Sequence, residues 1–273
     1  VQNGPQIAAD RYTYQASPAL ALLGGAAMLR LHALRPGLAR GLAVALLLAL
    51  GGLTWKQTGV WRDSGTLWRH ALALGIESPI AHANLGNELV KEGRLDDALA
   101  EYRQAIALDP EYAKAEDNWG LALVRLGRPD EAIAHHRRAA TLEPERAEFH
   151  NNWGVALAMS GRTGEAIEQY RLALEARPEY ADARINWGNA LVREGRTDEA
   201  IAQYRAALDV DSRLPDAHHN WGVALARRGD LAGAIEQFRR ALAIRPDHAE
   251  AREYLEQASR MLDRQRSDSL PRR

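Results

Sequence analysis

The 273-residue sequence lacks cysteine altogether, which excludes disulfide bonds, thiolate metal sites and cysteine nucleophiles. Lysine is scarce as well, since Lys56, Lys91 and Lys114 are the only lysines among 35 basic residues. The net charge of -1 gives no electrostatic reason to expect nucleic-acid binding, because phosphate binding needs a clustered basic surface. A glycine-rich phosphate loop and a Ser/His/Asp arrangement are missing too. The sequence therefore predicts no cofactor and no catalytic residue within this chain.

The sequence does contain a tripeptide, Asn-Trp-Gly, that returns every 34 residues with Trp119, Trp153, Trp187 and Trp221. Leu85 occupies the same place one period earlier. A fixed period of this length is typical of a repeat protein, in which each unit packs only on its neighbours. We expect the tryptophan row to be part of the core, because large aromatic side chains bury the most apolar surface.

Small residues recur in register with the tryptophans and predict where helices cross, since two helices approach closely only at small side chains. These rows are Gly86, Gly120, Gly154, Gly188 and Gly222; Ala98, Ala132, Ala166, Ala200 and Ala234; and Ala105, Ala139, Ala173, Ala207 and Ala241. Large residues fill the second helix at Tyr102, Tyr170, Tyr204 and Phe238, whereas the second repeat has His136. The row Gly93, Gly127, Gly161, Gly195 and Gly229 predicts a left-handed turn within each hairpin.

This pattern resembles the tetratricopeptide repeat family from Pro79 to His248. The resemblance implies an all-α solenoid of helix-turn-helix units stacked into a right-handed superhelix. We assign the five repeats to 79–112, 113–146, 147–180, 181–214 and 215–248. A capping helix is expected at 249–263, because the last repeat would otherwise expose an apolar face. We predict that the polar residues 264–273 form a disordered tail.

Residues 1–59 differ from the repeats, because they contain two apolar runs, Pro18–Leu29 and Gly41–Trp55, joined by a short basic stretch. Each run is shorter than the ~20 residues of a spanning helix, so two core helices are one interpretation. Flanking arginines and aromatic residues favour the other, a pair of transmembrane helices. In that hypothesis residues 15–56 contact the membrane, and the repeats are extracytoplasmic, in the periplasm of a bacterium.

Residues 60–78 connect this region to the repeats and predict a half-repeat helix, because Trp68 and Ala71 precede Tyr102 and Ala105 by one period. The segments Asp10–Tyr14 and Val60–Leu72 resemble the transmembrane-and-tetratricopeptide-repeat family. Membership would imply a polytopic, O-mannosyltransferase-like membrane protein with its sugar-transferring domain before Val1. The chain does not begin with a signal peptide, and we expect it to be part of a longer polypeptide.

An asparagine occupies the sixth position of every repeat, on the face of the first helix that should line the concave groove. The five residues are Asn84, Asn118, Asn152, Asn186 and Asn220. A row of carboxamides can donate to and accept from an extended peptide backbone, an arrangement that resembles the superhelix of protein O-GlcNAc transferase. In the alternative interpretation these side chains only form hydrogen bonds within the array. We predict that they bind a peptide.

Other polar residues of the groove have weaker functional interpretations. Basic residues recur at the thirteenth position in Lys91, Arg125, Arg193 and Arg227, and acidic residues at the second in Glu148, Asp182 and Asp216. Such a mixed groove can hold a charged ligand, but exposed ion pairs of this kind usually contribute little. The pairs His135-His136 and His218-His219 lack the ligand spacing of a zinc site, so no metal is predicted.

These patterns predict a membrane-tethered scaffold that binds a protein or an extended peptide through its concave groove. The alternative is the carboxy-terminal, acceptor-recruiting region of a membrane glycosyltransferase whose catalytic domain precedes this chain.

Overall fold

The computed structural model describes residues 29–30, 32–60 and 63–269, and its regular elements in these ranges are helices. By its internal contacts the chain divides into two units, residues 1–92 and 93–273. The first unit contains α1 (Pro36–Val60), α2 (Ser64–Ala73) and α3 (Pro79–Lys91). In the described residues, the second unit contains the second helix of repeat one, four pairs of helices and a terminal helix.

The second unit starts with α4 (Leu95–Leu108), the second helix of repeat one. The first helices of the next four repeats are α5 (Ala113–Arg125), α7 (Ala147–Met159), α9 (Ala181–Arg193) and α11 (Pro215–Arg228). Their second helices are α6 (Pro129–Leu142), α8 (Thr163–Ala176), α10 (Thr197–Val210) and α12 (Leu231–Ile244). The last helix is α13 (Ala249–Ser269), which is helical well beyond the predicted end at residue 263.

The small-residue rows mark the contact between the two helices of each repeat. In the second unit, all alanines of both rows are 0% exposed. The ring of Tyr170 lies so close to Gly154 that a Cβ at this glycine would meet the ring Cε1 at 2.5 Å. Gly120 faces the ring of His136 in the same way, at 2.6 Å. The glycines are therefore required by close packing between the helices.

Turns within the hairpins follow the glycine row that the sequence contains. In the second unit, φ is 78° at Gly93 and between 72° and 90° at the four equivalent glycines. A left-handed backbone of this kind strains any residue that has a Cβ. The prediction of an all-helical array of repeats is thus confirmed.

The structure does not contain the pair of transmembrane helices that the sequence predicted, as far as the described residues show. The run Gly41–Trp55 lies inside α1, between Arg40 and Lys56 of the same helix, and measures only roughly 22 Å at about 1.5 Å per residue. In the described ranges, the structure contains no helix with the length and apolar character needed to span a bilayer. The run Pro18–Leu29 lies outside the described residues, apart from Leu29. The predicted membrane location, with contact through residues 15–56, is contradicted by this finding.

In the first unit, α2 packs on α3 and begins at a well-formed cap. The Asp63 side chain accepts a hydrogen bond from the Thr66 backbone amide at 2.7 Å, and this bond satisfies one of the free amides at the helix start. Ala71 is buried at 1% exposure, and Arg69 forms an ion pair with Glu92. The segment predicted as a half-repeat is therefore a short helix that packs on the first helix of repeat one.

Candidate functional site

The inner face of the second unit is identified by which helices touch. The first helices of successive repeats contact one another, α5 with α7, α7 with α9 and α9 with α11, and α11 contacts α13. The second helices of successive repeats make no comparable contact. An array whose first helices are closer together than its second helices curves toward the first helices, so these line the concave side.

Residues at positions 2, 6, 9 and 13 of a repeat lie on one side of its first helix, because their spacing follows the helical period. We call this set the inner stripe. In the second unit it consists of Lys114, Asn118, Leu121 and Arg125; Glu148, Asn152, Val155 and Met159; Asp182, Asn186, Asn189 and Arg193; and Asp216, Asn220, Val223 and Arg227.

Two of the predicted asparagines connect neighbouring repeats. Asn152 Nδ2 donates to Asp117 at 3.1 and 3.2 Å, and Asn186 Nδ2 donates to Asn151 Oδ1 at 2.9 Å. Both acceptors occupy position 5 of the preceding repeat. The alternative interpretation of the asparagine row, hydrogen bonding within the array, therefore applies to these two side chains, although a role in binding a peptide does not conflict with it.

The remaining asparagines have different surroundings. Asn118 and Asn220 are half-buried on the inner stripe, like Asn152 and Asn186. Within the described part of the chain, Asn220 has no hydrogen-bond partner. Asn84 has the same position in α3 of the first unit and is half-buried as well. Peptide binding by these five side chains stays a prediction.

Asp117 is a residue that the sequence analysis did not single out. Its carboxylate is almost buried and accepts from His136 Nδ1 at 2.7 Å as well as from Asn152. His136 is 0% exposed, and its Nε2 atom has no hydrogen-bond partner among the described residues. His136 stands where the other repeats have tyrosine or phenylalanine, and Asp117 is an acidic residue at a repeat position that is neutral or histidine elsewhere. These two departures from the repeat pattern were the sequence signal for the pair.

The other histidines that invited a metal interpretation are engaged with separate neighbours. His135 stacks on Trp119 with ring centroids 4.2 Å apart, and its Nδ1 lies 2.7 Å from Glu116. His218 Nδ1 lies 2.8 Å from the side-chain oxygen of Gln237. Across the described residues, no three His, Asp or Glu side chains are grouped as metal ligands would be.

The arginines of position 13 are exposed and lie beside buried tyrosines of the preceding repeat. Burial raises the pKa of Tyr170 and Tyr204, and the nearby Arg193 and Arg227 partly oppose that rise. Arg193 Nη1 also donates to the Ala158 carbonyl oxygen of the preceding first helix at 3.0 Å. The guanidinium groups are thus placed along the inner face by the same helix contacts that place the asparagines.

The tryptophan row belongs to the packing between repeats. Trp153 packs against the cluster Ala113, Ala139, Ala140 and Phe149, and Trp187 packs on the equivalent cluster of the next repeat. A cavity of about 450 Å³ lies beside Trp221, between α10, α11 and α12, with Arg205, Asp209 and Arg240 among its lining residues. It is lined largely by second helices and is distinct from the inner stripe.

Comparisons with known proteins agree with this architecture. A family model described as tetratricopeptide repeat matches residues 118–181 and 185–249, and one described as TPR repeat matches residues 86–127. A comparison with curated proteins found no match.

Several solved structures are similar to this chain. YrrB, described as a TPR protein with an unusual peptide-binding site, is 28% identical, with a TM-score of 0.55 over 68% of this chain and 96% of YrrB. MamA is 24% identical, with a TM-score of 0.55 over 61% of this chain and 97% of MamA. The pilF protein of Pseudomonas aeruginosa is 18% identical, with a TM-score of 0.58 over 68% of this chain and 90% of that protein. The last two likenesses concern the fold alone.

These matches do not support the resemblance to membrane O-mannosyltransferase-like proteins, nor the alternative of a glycosyltransferase region. The repeat period, the helix pairs and the matched models all point to one family. The chain belongs to the tetratricopeptide repeat proteins.

Proposed function

We propose that this chain binds an extended segment of another polypeptide through Asn118, Asn152, Asn186 and Asn220 of the inner stripe, and that Asn84, at the same repeat position in the first unit, is a peptide-binding residue as well. The observation that carries the proposal is the placement of four of these carboxamides on the concave face of one array of touching helices. An extended peptide presents an N–H and a C=O group at every residue, and a carboxamide can pair with both.

The inner stripe also offers apolar surface beside the amides. Leu121 is 38% exposed and Met159 is 52% exposed, both on first helices. Methionine is well suited to adaptable contacts, because its side chain is unbranched and polarizable. A surface that combines backbone-directed amides with adaptable apolar contacts supports binding of many sequences. The description of YrrB as a peptide-binding TPR protein is consistent with this proposal.

The experiment starts from peptides selected on the purified chain from a random displayed library, which are then labelled for fluorescence anisotropy. Asn220→Ala is the informative variant, because Asn220 has no partner in the described part of the chain and its loss should not destabilise the array. We expect its Kd to rise about fivefold, as for the loss of one hydrogen bond worth about 1 kcal/mol.

Gln104→Ala is the matched control, since Gln104 is an exposed carboxamide on the second helix α4. It should leave the Kd unchanged. Equal affinity of wild type, Asn220→Ala and the triple variant Asn118→Ala/Asn152→Ala/Asn186→Ala, with helicity preserved, would refute peptide binding by the asparagine row.

A further inference from the structure

The acidic end of the inner stripe is largely neutralised by the protein itself. Glu148 pairs with Arg177, and Asp216 pairs with Arg245, each at 2.5 Å. Asp182 is the exception and lies near the start of α9, about 16 Å along the helix from Arg193 at about 1.5 Å per residue. The acidic residues that the sequence places opposite the arginines are therefore mostly engaged with other cations.

The basic end of the inner stripe is not neutralised in this way. In the described ranges, Arg125, Arg193 and Arg227 have no carboxylate within ion-pair distance. Arginines elsewhere in the same repeats do, for example Arg128 with Glu131 at 2.6 Å and Arg196 with Glu199 at 2.7 Å. The concave face thus carries a row of positive charge that the fold leaves open to a partner.

An apolar cavity of about 230 Å³ lies beside the last of these arginines. It is formed between α11, α12 and α13, and Val223, Phe238, Tyr254 and Met261 line it together with Arg227. Tyr254 is 38% exposed and Met261 52%, so the cavity is open to solvent. Its volume is below the roughly 300–1,000 Å³ of a small-molecule site, and one apolar side chain suits it better than a metabolite.

We propose that the partner segment is acidic and carries one large apolar side chain as an anchor. The anchor enters the cavity between α11 and α13, and carboxylates on the same segment pair with Arg227 and Arg193 on successive repeats. Charge complementarity selects this occupant, because a basic segment would meet the unpaired guanidinium groups. Arginine also pairs with carboxylates in a planar two-bond geometry that favours them over other acceptors. This inference rests on the proposed binding of peptides by the inner stripe.

The test uses a labelled, flexible peptide of Glu, Gly and Ser with a single Phe, called the Glu/Phe peptide. Two control peptides differ from it, one with Lys in place of every Glu and one with Gly in place of the Phe. We expect the full chain to bind the Glu/Phe peptide at least about tenfold more tightly than either. Arg227→Ala and Arg193→Ala should each weaken it about tenfold, and added salt should weaken it further. Arg239→Ala, at an exposed arginine of the second helix α12, should have no effect.

The cavity is tested by Met261→Gln against Val210→Gln, since Val210 is also an exposed apolar residue, at 46%, but lies on the second helix α10 outside the inner stripe. Only the first should lower affinity for the Glu/Phe peptide, and neither should change affinity for the Gly-substituted peptide. Equal binding of the Glu and Lys peptides, still weakened by Asn220→Ala, would overturn the acidic-partner proposal while leaving peptide binding intact. Failure of all three peptides and of every library-selected peptide would instead overturn the proposed function.

Discussion

The amide nitrogen of Asn152 lies 3.1 Å from Oδ2 of Asp117, so a side chain of the predicted peptide-binding row also joins repeat three to repeat two. The same carboxylate accepts from His136, which is completely buried. Asp117 thus takes part in packing within repeat two and in contact with repeat three, and its partner Asn152 lies on the surface of the groove. The binding face and the stability of the array are coupled at this point.

Replacement of Asp117 by alanine should destabilise the chain by about 3 kcal/mol, because His136 and Asn152 would both lose their acceptor in a buried place. Urea unfolding followed by circular dichroism measures this as a lower midpoint. Asn151→Ala is the matched change one repeat later, at a neutral residue with weaker bonds, and should cost about 1 kcal/mol. Equal midpoints for the two variants would contradict the special weight given to the carboxylate.

Gly154→Ala should destabilise the chain by about 1–3 kcal/mol, because the added Cβ would lie 2.5 Å from the ring of Tyr170. Gly164→Ala provides the contrast, since a Cβ there meets only Glu194 Oε1 at 3.8 Å. Alanine favours the helix over glycine by about 0.5–1 kcal/mol, so this variant should be slightly more stable. Thermal melts of both proteins distinguish close packing from a general effect of glycine.

Mild acid should loosen the contact between the last repeat and α13. His219 is buried, and its ring centroid lies 4.9 Å from that of His248, with Glu250, Asp216 and Arg245 nearby. Burial, and then the neighbouring His248, lower the pKa of His219 below its ordinary value.

Because the pKa of His219 is lower in the folded chain, His219 of the unfolded chain is protonated at a higher pH than His219 of the folded chain. The stability associated with neutral His219 is complete above about pH 7 and is lost as pH drops through about 6.5 toward the lowered folded pKa. Chemical unfolding between pH 7.5 and 5, about the ordinary titration range of histidine, should show a steeper loss in wild type than in His219→Phe. If the stability of the two proteins fell equally with pH, His219 would not be the cause of the acid sensitivity.

Removal of the last helix by a stop after His248 should make the chain prone to aggregate, because Phe238 is 0% exposed beneath α13. Light scattering and a melting curve report this change. A stop after Asp263 is the control, since residues 264–267 of the helix are exposed and their loss should have little effect. Similar behaviour of the two truncated chains would mean that α13 is not needed to cover the last repeat.

The sequence predicted the parts of this fold that are set by short, repeated constraints. The spacing of Trp119, Trp153, Trp187 and Trp221 determined the period, and close packing required the glycines and alanines that follow in register. Each predicted repeat begins where a first helix begins, for instance at Ala147 and Pro215. Such features depend on neighbours within one or two helices, and these can be inferred from a periodic sequence.

Other features depend on contacts that the period does not contain. The pairing of Asp117 with His136 arose from two departures from the repeat pattern, and either residue alone looks like an ordinary exception. The run Gly41–Trp55 was interpreted as a transmembrane helix from its apolar residues and the arginines and aromatic residues that flank it, but the pattern did not show that Arg40, the run and Lys56 belong to one helix, α1. Whether Asn118 or Asn220 contacts a ligand depends on a partner and cannot follow from spacing.

Position 5 of the repeats differs at every boundary, with Asp117 tying repeat two to repeat three and Asn151 tying repeat three to repeat four. The repeats are consequently not interchangeable modules, even though their helices superimpose in pattern. Exchanging repeats two and three would bring Asp117 to the boundary with repeat four, which now has the neutral side chain of Asn151, and His136 would then share its acceptor with Asn186 in place of Asn152. The polar joints therefore differ from one boundary to the next, and a shuffled array of the same five repeats would join charged and neutral partners in a different order.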